Sequence, residues 1–172
     1  YEWHTDLVHV PYGLVSLEGA KLSTRTGNII YAEDILEEAV KRAAESIEEK
    51  NPKLADKEIV AKKVGIGAVI FHDLFNQRIK NVDFSWDDVL SFEGTTGPYV
   101  QYTYARTCSV IEKSKLTGID YDSYTGGKIT APEEAALLKV LAKFPEKVIS
   151  AIDDLEPSII TRYILDVAAE YN

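Results

Sequence analysis

Cysteine, methionine and long apolar runs are scarce or missing in this sequence of 172 residues. With a single cysteine, Cys108, the chain can form neither an internal disulfide nor a thiolate zinc site, so a reducing compartment and no structural metal are expected. The longest uninterrupted apolar run, residues 64–71, is far shorter than the roughly 20 residues that cross a bilayer. No transmembrane helix is predicted, and a cytoplasmic location is the plain expectation.

Basic residues are also in the minority, because 19 Lys and Arg stand against 28 Asp and Glu, a formal net charge of −9. General nucleic-acid affinity depends on Lys and Arg that neutralise phosphates, so it is disfavoured and any such contact must be local. The start of the chain lacks a methionine and a signal-peptide pattern, which favours a fragment of a longer protein. Hydrophobic residues at 45% and charged residues at 27% are typical of a globular protein with a sizeable core.

The first third of the chain predicts two short strands and one long helix. Weak alternation of apolar residues at 6–10 and 14–17 is typical of strands. A polar loop at 21–28 separates them from a helix whose apolar residues recur at helical spacing over 35–47. Pro52 ends this helix.

The remainder is predicted to be helical. A second long helix starts at Asp56, and its internal glycines, Gly65 and Gly67, indicate close packing, since glycine costs a helix about 1 kcal/mol relative to alanine. Residues 81–84 are expected to be a connector, and residues 120–128 a loop. Capping and proline signals open or divide the other helices at Ser85, Pro98, Thr130, Pro145 and Pro157.

These elements together predict a mostly α protein with short β elements at the N-terminus and a helical bundle behind them. No internal repeat or low-complexity segment is visible. The natural seam is the tight loop at residues 93–98. We therefore expect one unit at 1–95 and a second, all-helical unit at 96–172.

The loop at 21–28 places two fixed positive charges among hydroxyls and a glycine. It reads Lys21-Leu22-Ser23-Thr24-Arg25-Thr26-Gly27-Asn28. Such a loop can hold a phosphate chain, since lysine acts as a mobile charge, arginine as a forked donor, and glycine lets the backbone approach. Solvated loops carry the same residue types, so composition alone favours an ordinary surface loop.

The order of the residues changes that balance. The segment Lys21-Leu22-Ser23-Thr24-Arg25, preceded by His9-Val10-Pro11-Tyr12-Gly13, resembles the Lys-Met-Ser-Lys-Ser loop of class I aminoacyl-tRNA synthetases in its arginyl variant. Residues 64–74, 83–87 and 91–106 look like the same family, and the last segment, SFEGTTGPYVQYTYAR, is the most specific. The chain is identified as a member of the arginyl-tRNA synthetases. The resemblance implies that residues 1–95 end a class I catalytic domain and that residues 96–172 begin an anticodon-binding helical bundle, truncated after Asn172.

The resemblance implies an enzyme that joins arginine to tRNA(Arg) through arginyl-adenylate, with ATP as co-substrate and Mg²⁺ as the counter-ion of the nucleotide. Lys21 and Ser23 are the implied catalytic residues, which stabilise charge on the phosphates as pyrophosphate departs. The implied ATP-binding residues are Lys21, Ser23, Arg25, Gly27, His9, Tyr12 and Gly13. Thr24 and Thr26 stand where many relatives have lysine, so a compensating cation must come from elsewhere.

A second block combines a tight loop with aromatic residues. Tyr99, Tyr102 and Arg106 follow at spacings of three and four and so share a helix face. Rings stack on unpaired bases, and an arginine beside them binds phosphate or stacks in turn. The resemblance implies contact with the anticodon loop through Glu93, Gly94, Thr95, Thr96, Gly97, Tyr99, Tyr102 and Arg106. Packing of both tyrosines between helices is the alternative, because aromatic residues at helical spacing usually belong to a core.

Other titratable residues are weaker candidates. His4 and His9 are not expected to share a metal with Asp6, because positions four and nine of a strand point to opposite faces. His72 and Asp73 are expected to form a buried, hydrogen-bonded structural pair rather than an acid–base site. No metal site is predicted.

Two functions besides the ligase stay open at this point. One is a non-catalytic tRNA-binding module derived from a synthetase, and the other is an acidic helical scaffold that binds proteins. As a fragment of a ligase, the chain alone is expected to form no adenylate, because the arginine-binding part is missing. No membrane partner is expected, and the oligomeric state is left open.

Overall fold

Seven α-helices and three short strands make up the part of the chain that the computed structural model describes, which is residues 1–21, 30–115, 127 and 129–172. The strands are β1 (Val15–Leu17), β2 (Ala20–Lys21) and β3 (Val82–Phe84). The helices are α1 (Ala32–Lys50), α2 (Lys57–Phe75), α3 (Trp86–Leu90), α4 (Gly97–Ser114), α5 (Pro132–Leu141), α6 (Phe144–Asp153) and α7 (Ser158–Tyr171). The prediction of a mostly α protein with short β elements at its start is confirmed.

The three strands form one small sheet in the order β2-β1-β3. β1 turns back antiparallel onto β2 through Gly19, whose φ of 76° lies in the left-handed region that glycine adopts freely. β3 lies parallel to β1, with Val15 opposite Val82 and Leu17 opposite Phe84. This pairing joins residues 67 positions apart, so no local pattern could reveal it.

Two sequence predictions about this region are wrong. Residues 6–10 form no strand, because Glu2–Asp6 is a 3₁₀ turn and residues 7–10 are exposed chain without a strand partner in the described part. Residues 81–84 are more than a connector, since Val82–Phe84 is β3. Weak alternation does not make a strand unless a neighbouring strand satisfies the backbone donors and acceptors.

The α1 and α2 helices pack at close range and form the core with the sheet. A Cβ added to Gly65 would stand 2.6 Å from the carbonyl carbon and oxygen of Ala39, so the helix backbones meet there, as the glycine predicted. The core cluster joins these helices to β3 and α3 through Ala39, Ala68, Phe84, Trp86 and Val89. Phe84 and Trp86 meet edge to face with ring centroids 5.0 Å apart.

The α7 helix packs on α2 and α4, and α5 and α6 pack on α7. Thr161 of α7 donates a hydrogen bond to the carbonyl of Leu74 at the end of α2 (3.0 Å). Arg78 holds the turn between α6 and α7 by donating to the carbonyls of Leu155 (3.0 Å) and Asp154 (3.3 Å), and it also donates to the carbonyl of Pro11 (2.8 Å). One guanidinium therefore ties the N-terminal segment to the helical bundle.

The helix boundaries follow most of the predicted signals. The α4 helix has Pro98 in its first turn, and Pro145 and Pro157 separate the last three helices as predicted. Ser85 precedes α3, but its side chain makes no capping bond. The predicted loop at 120–128 lies outside the described residues except for Gly127. In the described part of the chain, no helix is long and apolar enough to span a membrane.

Candidate nucleic-acid and nucleotide sites

The loop that precedes α4 is shaped by its own side chains. The Ser91 hydroxyl accepts from the backbone N–H of Glu93 and lies at the same 3.1 Å from its carbonyl. Thr96 donates to the carbonyl of Ser91 (2.6 Å) and accepts from the backbone N–H of Tyr99 (3.1 Å), which closes the loop and caps the helix at once. Gly94 has a φ of 78°, and Gly97 is buried against Phe71 of α2, so both glycines are required by the path of the chain.

Tyr99, Tyr102 and Arg106 lie together on α4. The guanidinium carbon of Arg106 is 6.0 Å from the ring centroid of Tyr102, which is the range of a cation–π contact. The side chain of Asn172, one residue beyond α7, joins Arg106 (2.5 Å) to the hydroxyl of Tyr99 (3.1 Å). The predicted shared face is therefore present, and it has a fourth member that the sequence reasoning did not include.

The two tyrosines differ in their surroundings. Tyr99 is half-buried, and its hydroxyl already has a protein partner. Tyr102 is 53% exposed. Tyr99 therefore fits, in part, the alternative in which the tyrosines pack between helices. The ring of Tyr102 is instead available for stacking on a ligand.

An open groove of about 830 Å³ runs beside these tyrosines. It lies between the end of α1, the start of α2 and the loop before α4, and its lining includes Lys50, Asn51, Phe92, Tyr99 and Tyr102. The ammonium of Lys50 stands 5.1 Å from the ring centroid of Phe92. One lysine, one glutamate (Glu93) and several aromatic faces thus line the same groove.

The segment that holds three of the predicted ATP-binding residues, His9, Tyr12 and Gly13, is fixed through its backbone. The N–H of Gly13 donates to the carbonyl of Arg78 (2.6 Å), and Asn81 accepts from the N–H of Leu14 (2.9 Å). A Cβ at Gly13 would collide with the carbonyl of Lys80, so only glycine fits there. His9 and Tyr12 are exposed, Tyr12 by 85%. Tyr12 and Gly13 line an open cavity of about 350 Å³ together with Arg78 and Lys80, whereas His9 is not part of its lining.

The proposed phosphate loop begins at the β1–β2 hairpin. Lys21 lies in β2, whereas Ser23, Arg25 and Gly27 lie outside the described residues. Asp83 of β3 fixes the hairpin by accepting from the Ser16 hydroxyl (2.6 Å) and from the N–H of Gly19 (2.9 Å). These hydrogen bonds stabilise the carboxylate and lower the pKa of Asp83 below its ordinary value.

The predicted buried, hydrogen-bonded pair of His72 and Asp73 is wrong, because Asp73 is exposed, His72 is half-buried and no hydrogen bond joins the two side chains among the described residues. The ring of His72 meets Phe84 edge to face at 5.5 Å, and its Nε2 is buried without a partner among the described residues. Burial lowers the pKa of His72 even though the carboxylates of Asp88 and Asp73 oppose this. In the described part, no group of three or more His, Cys, Asp or Glu residues converges as a metal site would require.

The sequence reasoning missed Arg78, Asp83 and Asn172. Each contacts residues more than 60 positions away in the chain. A local motif gives no signal for such contacts, although Asp83 lay inside a segment that resembled the family. The three residues position others and were found only from the tertiary structure.

Two family profiles match the chain. The profile described as "tRNA synthetases class I (R), catalytic domain" covers residues 1–86, and the "DALR anticodon binding domain" covers residues 100–172. The two matches fall on either side of the loop that the sequence indicated as the seam.

Relatives with known names match over the whole chain. An arginine–tRNA ligase of Halothermothrix orenii is 50% identical over 172 residues, and one of Ligilactobacillus salivarius is 48% identical. Both alignments cover 100% of this chain and 30% of the relative. The solved arginyl-tRNA synthetase of Thermus thermophilus is 39% identical with a TM-score of 0.83, over 95% of this chain and 26% of that one. The chain therefore spans less than a third of the length of these relatives.

Proposed function

Because this chain belongs to the class I tRNA synthetases of the arginine type, we propose that it is part of an enzyme that joins arginine to tRNA(Arg) at the expense of ATP. ATP and arginine are then the small substrates, tRNA(Arg) is the macromolecular partner, and the cytoplasm is the location. We assign the nucleotide and the RNA to two parts of the chain. The β1–β2 hairpin and the residues after it serve the nucleotide, and the first turns of α4 serve the RNA.

On the RNA side, the observation that carries the proposal is the exposed pair of Tyr102 and Arg106 on a helix that is capped and packed. A rigid helix fixes the backbone positions from which the ring and the guanidinium project, so the backbone needs no ordering when a ligand binds. The ring stacks on an unpaired base of the anticodon loop, and the guanidinium binds a phosphate beside it. The preshaped loop of Glu93, Gly94, Thr95, Thr96 and Gly97 borders the same site.

Tyr99 has a smaller direct role in this proposal. Its hydroxyl is occupied by Asn172, and its ring forms one wall of the groove with Phe92 and Lys50. The groove offers room for a base that leaves the stack of the loop. Aromatic walls accept such a base without sequence preference, so discrimination would come from polar groups at the groove edge.

On the nucleotide side, the carboxylate of arginine attacks the α-phosphorus of ATP and pyrophosphate leaves. Lys21 and Ser23 stabilise the charge that accumulates on the phosphate oxygens, while Arg25 and Gly27 shape the loop. His9, Tyr12 and Gly13 approach the adenine, mainly through backbone groups. The hydrogen bonds from Ser16 and Gly19 to Asp83 support this assignment, because they fix the hairpin from which the loop starts. Mg²⁺ enters as the counter-ion of the triphosphate.

We place the boundary between the two units at residues 95 and 96. Thr96 is the N-cap of α4, so the helical unit starts where the capping side chain stands. The loop before it packs on both units, since Ser91 follows α3 and Thr96 bonds to its carbonyl. This bond joins the last residues of the first unit to the first residue of the second.

The RNA side is tested by titrating the chain with an arginine tRNA transcript and with the same transcript carrying a changed anticodon, over a range of salt. We expect tighter binding of the native anticodon and weakening with salt. Tyr102→Ala should weaken binding by about tenfold, the value of one lost stacking contact. Tyr104→Ala is the matched control, because Tyr104 is 70% exposed on the same helix but lies outside the groove and the shared face.

The outcomes separate the candidate functions. Equal losses for the two tyrosine variants, or no preference for the native anticodon, would remove the RNA role assigned to this face. Indifference to tRNA at low salt would instead favour a scaffold that binds only proteins. A ligase is separated from a non-catalytic RNA module by Lys21→Ala in the full-length parent, which should abolish ATP–pyrophosphate exchange while leaving tRNA binding unchanged.

A further inference from the structure

The side-chain amide of Asn172 is the hub of the proposed RNA face. Its Oδ1 accepts from Nη1 of Arg106 at 2.5 Å. Its Nδ2 faces three acceptors, listed by distance as Thr103 Oγ1 (2.7 Å), the carbonyl of Ala168 (2.9 Å) and the hydroxyl of Tyr99 (3.1 Å). The orientation of the amide follows from chemistry, because an arginine can only donate and must therefore meet the oxygen.

We propose that Asn172 is a positioning residue that holds Arg106 and Tyr99 in the geometry that binds RNA; this rests on the proposed function. Arg106 is exposed, and a long side chain at an exposed position samples many rotamers. The hydrogen bond to Asn172 restricts these rotamers before RNA arrives, so RNA binding does not have to bear the entropy cost of ordering the side chain. The other N–H donors of the guanidinium stay available for a phosphate.

The neutral character of Asn172 is essential to this role. A carboxylate would orient Arg106 equally well but would cancel the charge that a phosphate needs. In the described part of the chain, no carboxylate lies within 4.0 Å of the Arg106 guanidinium. Asn172 therefore orders the cation and leaves its charge intact.

Asn172 also connects two helices. It comes directly after Tyr171 of α7, and its backbone N–H donates to the carbonyl of Ala168, the ordinary bond of an α-helix. Thr103, which it also contacts, is buried between α4 and α7. A local role, in which Nδ2 only caps the carbonyl of Ala168, would explain that bond but not the bonds to Arg106 and Tyr99.

A double-mutant cycle distinguishes positioning from capping. The chain and its Asn172→Ala, Arg106→Ala and doubly substituted variants are titrated with the arginine tRNA transcript at several salt concentrations. We expect Asn172→Ala to weaken binding about tenfold, as the loss of a hydrogen bond to a charged group does. In the Arg106→Ala background the same change should have little effect. Arg106→Ala should lower the slope of log affinity against log salt by about one.

The matched control is the cycle of Asn172→Ala with Lys113→Ala. Lys113 is an exposed cation on the same helix, and it has no contact with Asn172. Lys113→Ala removes one positive charge, as Arg106→Ala does. The fold-losses of tRNA affinity caused by Asn172→Ala and Lys113→Ala should therefore multiply in the double variant. Thermal unfolding of each variant records the capping contribution separately. If Asn172→Ala does not fold, Asn172→Ser, which keeps a short polar group near Ala168 but cannot reach Arg106, replaces it in the cycle.

Two results would overturn the inference. Losses of Asn172→Ala and Arg106→Ala that multiply as in the control show that Asn172 does not act through Arg106. An unchanged affinity in Asn172→Ala shows that it does not act on RNA binding at all. Either result leaves the proposed function intact if the wild-type chain distinguishes the native anticodon. A wild-type chain that does not bind the transcript contradicts the proposed function and this inference together.

Discussion

Replacing Thr96 by valine tests whether one hydroxyl holds the loop and α4 together. Valine keeps the shape and the β-branching, so the substitution removes only the hydroxyl. Thr96 is 8% exposed and makes two hydrogen bonds, one to the carbonyl of Ser91 and one from the N–H of Tyr99. Loss of an N-cap costs about 1 kcal/mol, and the second bond adds about 1 kcal/mol more.

We therefore expect Thr96→Val to lower the free energy of unfolding by about 2 kcal/mol, which at a typical slope is a shift of about 1 M in the urea midpoint. Thr107→Val is the control, because the Thr107 hydroxyl donates only to the carbonyl of Tyr104 inside the same helix. That change should cost about 0.5 kcal/mol or less. Thr96→Ser should restore most of the loss. Equal midpoints for the two valine variants would refute the assignment of Thr96 as the closing contact.

Three other predictions concern the core and the sheet. Gly65→Ala should lower the melting temperature strongly, because the new Cβ meets the backbone of α1. In Gly67→Ala the new Cβ meets only the end of the Gln101 side chain, so the melting temperature should change little. Thermal unfolding measures both. The pKa of His72 is lowered in the folded state, so the unfolded chain takes up the proton first as the pH falls. The free energy of unfolding should therefore be constant above pH about 6.5 and decrease below it. Urea titrations between pH 5 and 7 should show a smaller decrease for His72→Phe. The pKa of Asp83 is lowered in the folded state, so its contribution to the free energy of unfolding is present above pH about 4 and is lost as acid protonates the carboxylate. Asp83→Asn should remove this acid dependence. An NMR titration that gives Asp83 a pKa at or above the ordinary value would contradict the prediction.

How far the sequence could predict the site depended on the range of each contact. Tyr99, Tyr102 and Arg106 were assigned to one face because helical spacing is a local rule, and the structure places them together. The tyrosines could not be told apart in advance, since which ring is exposed depends on what α7 brings to α4. Asn172, from 73 residues away, supplies the partner of the Tyr99 hydroxyl.

The sequence by itself determined the family, the helical class and most helix boundaries, because spacing, prolines and capping residues act within a few positions. Only the tertiary structure decided that Val82–Phe84 is a strand, that residues 6–10 are not, and that Arg78 ties Pro11 to the turn after α6. These contacts join segments more than 60 residues apart. A backbone donor or acceptor takes whichever partner the packed fold brings to it, and that partner is not encoded in its neighbours.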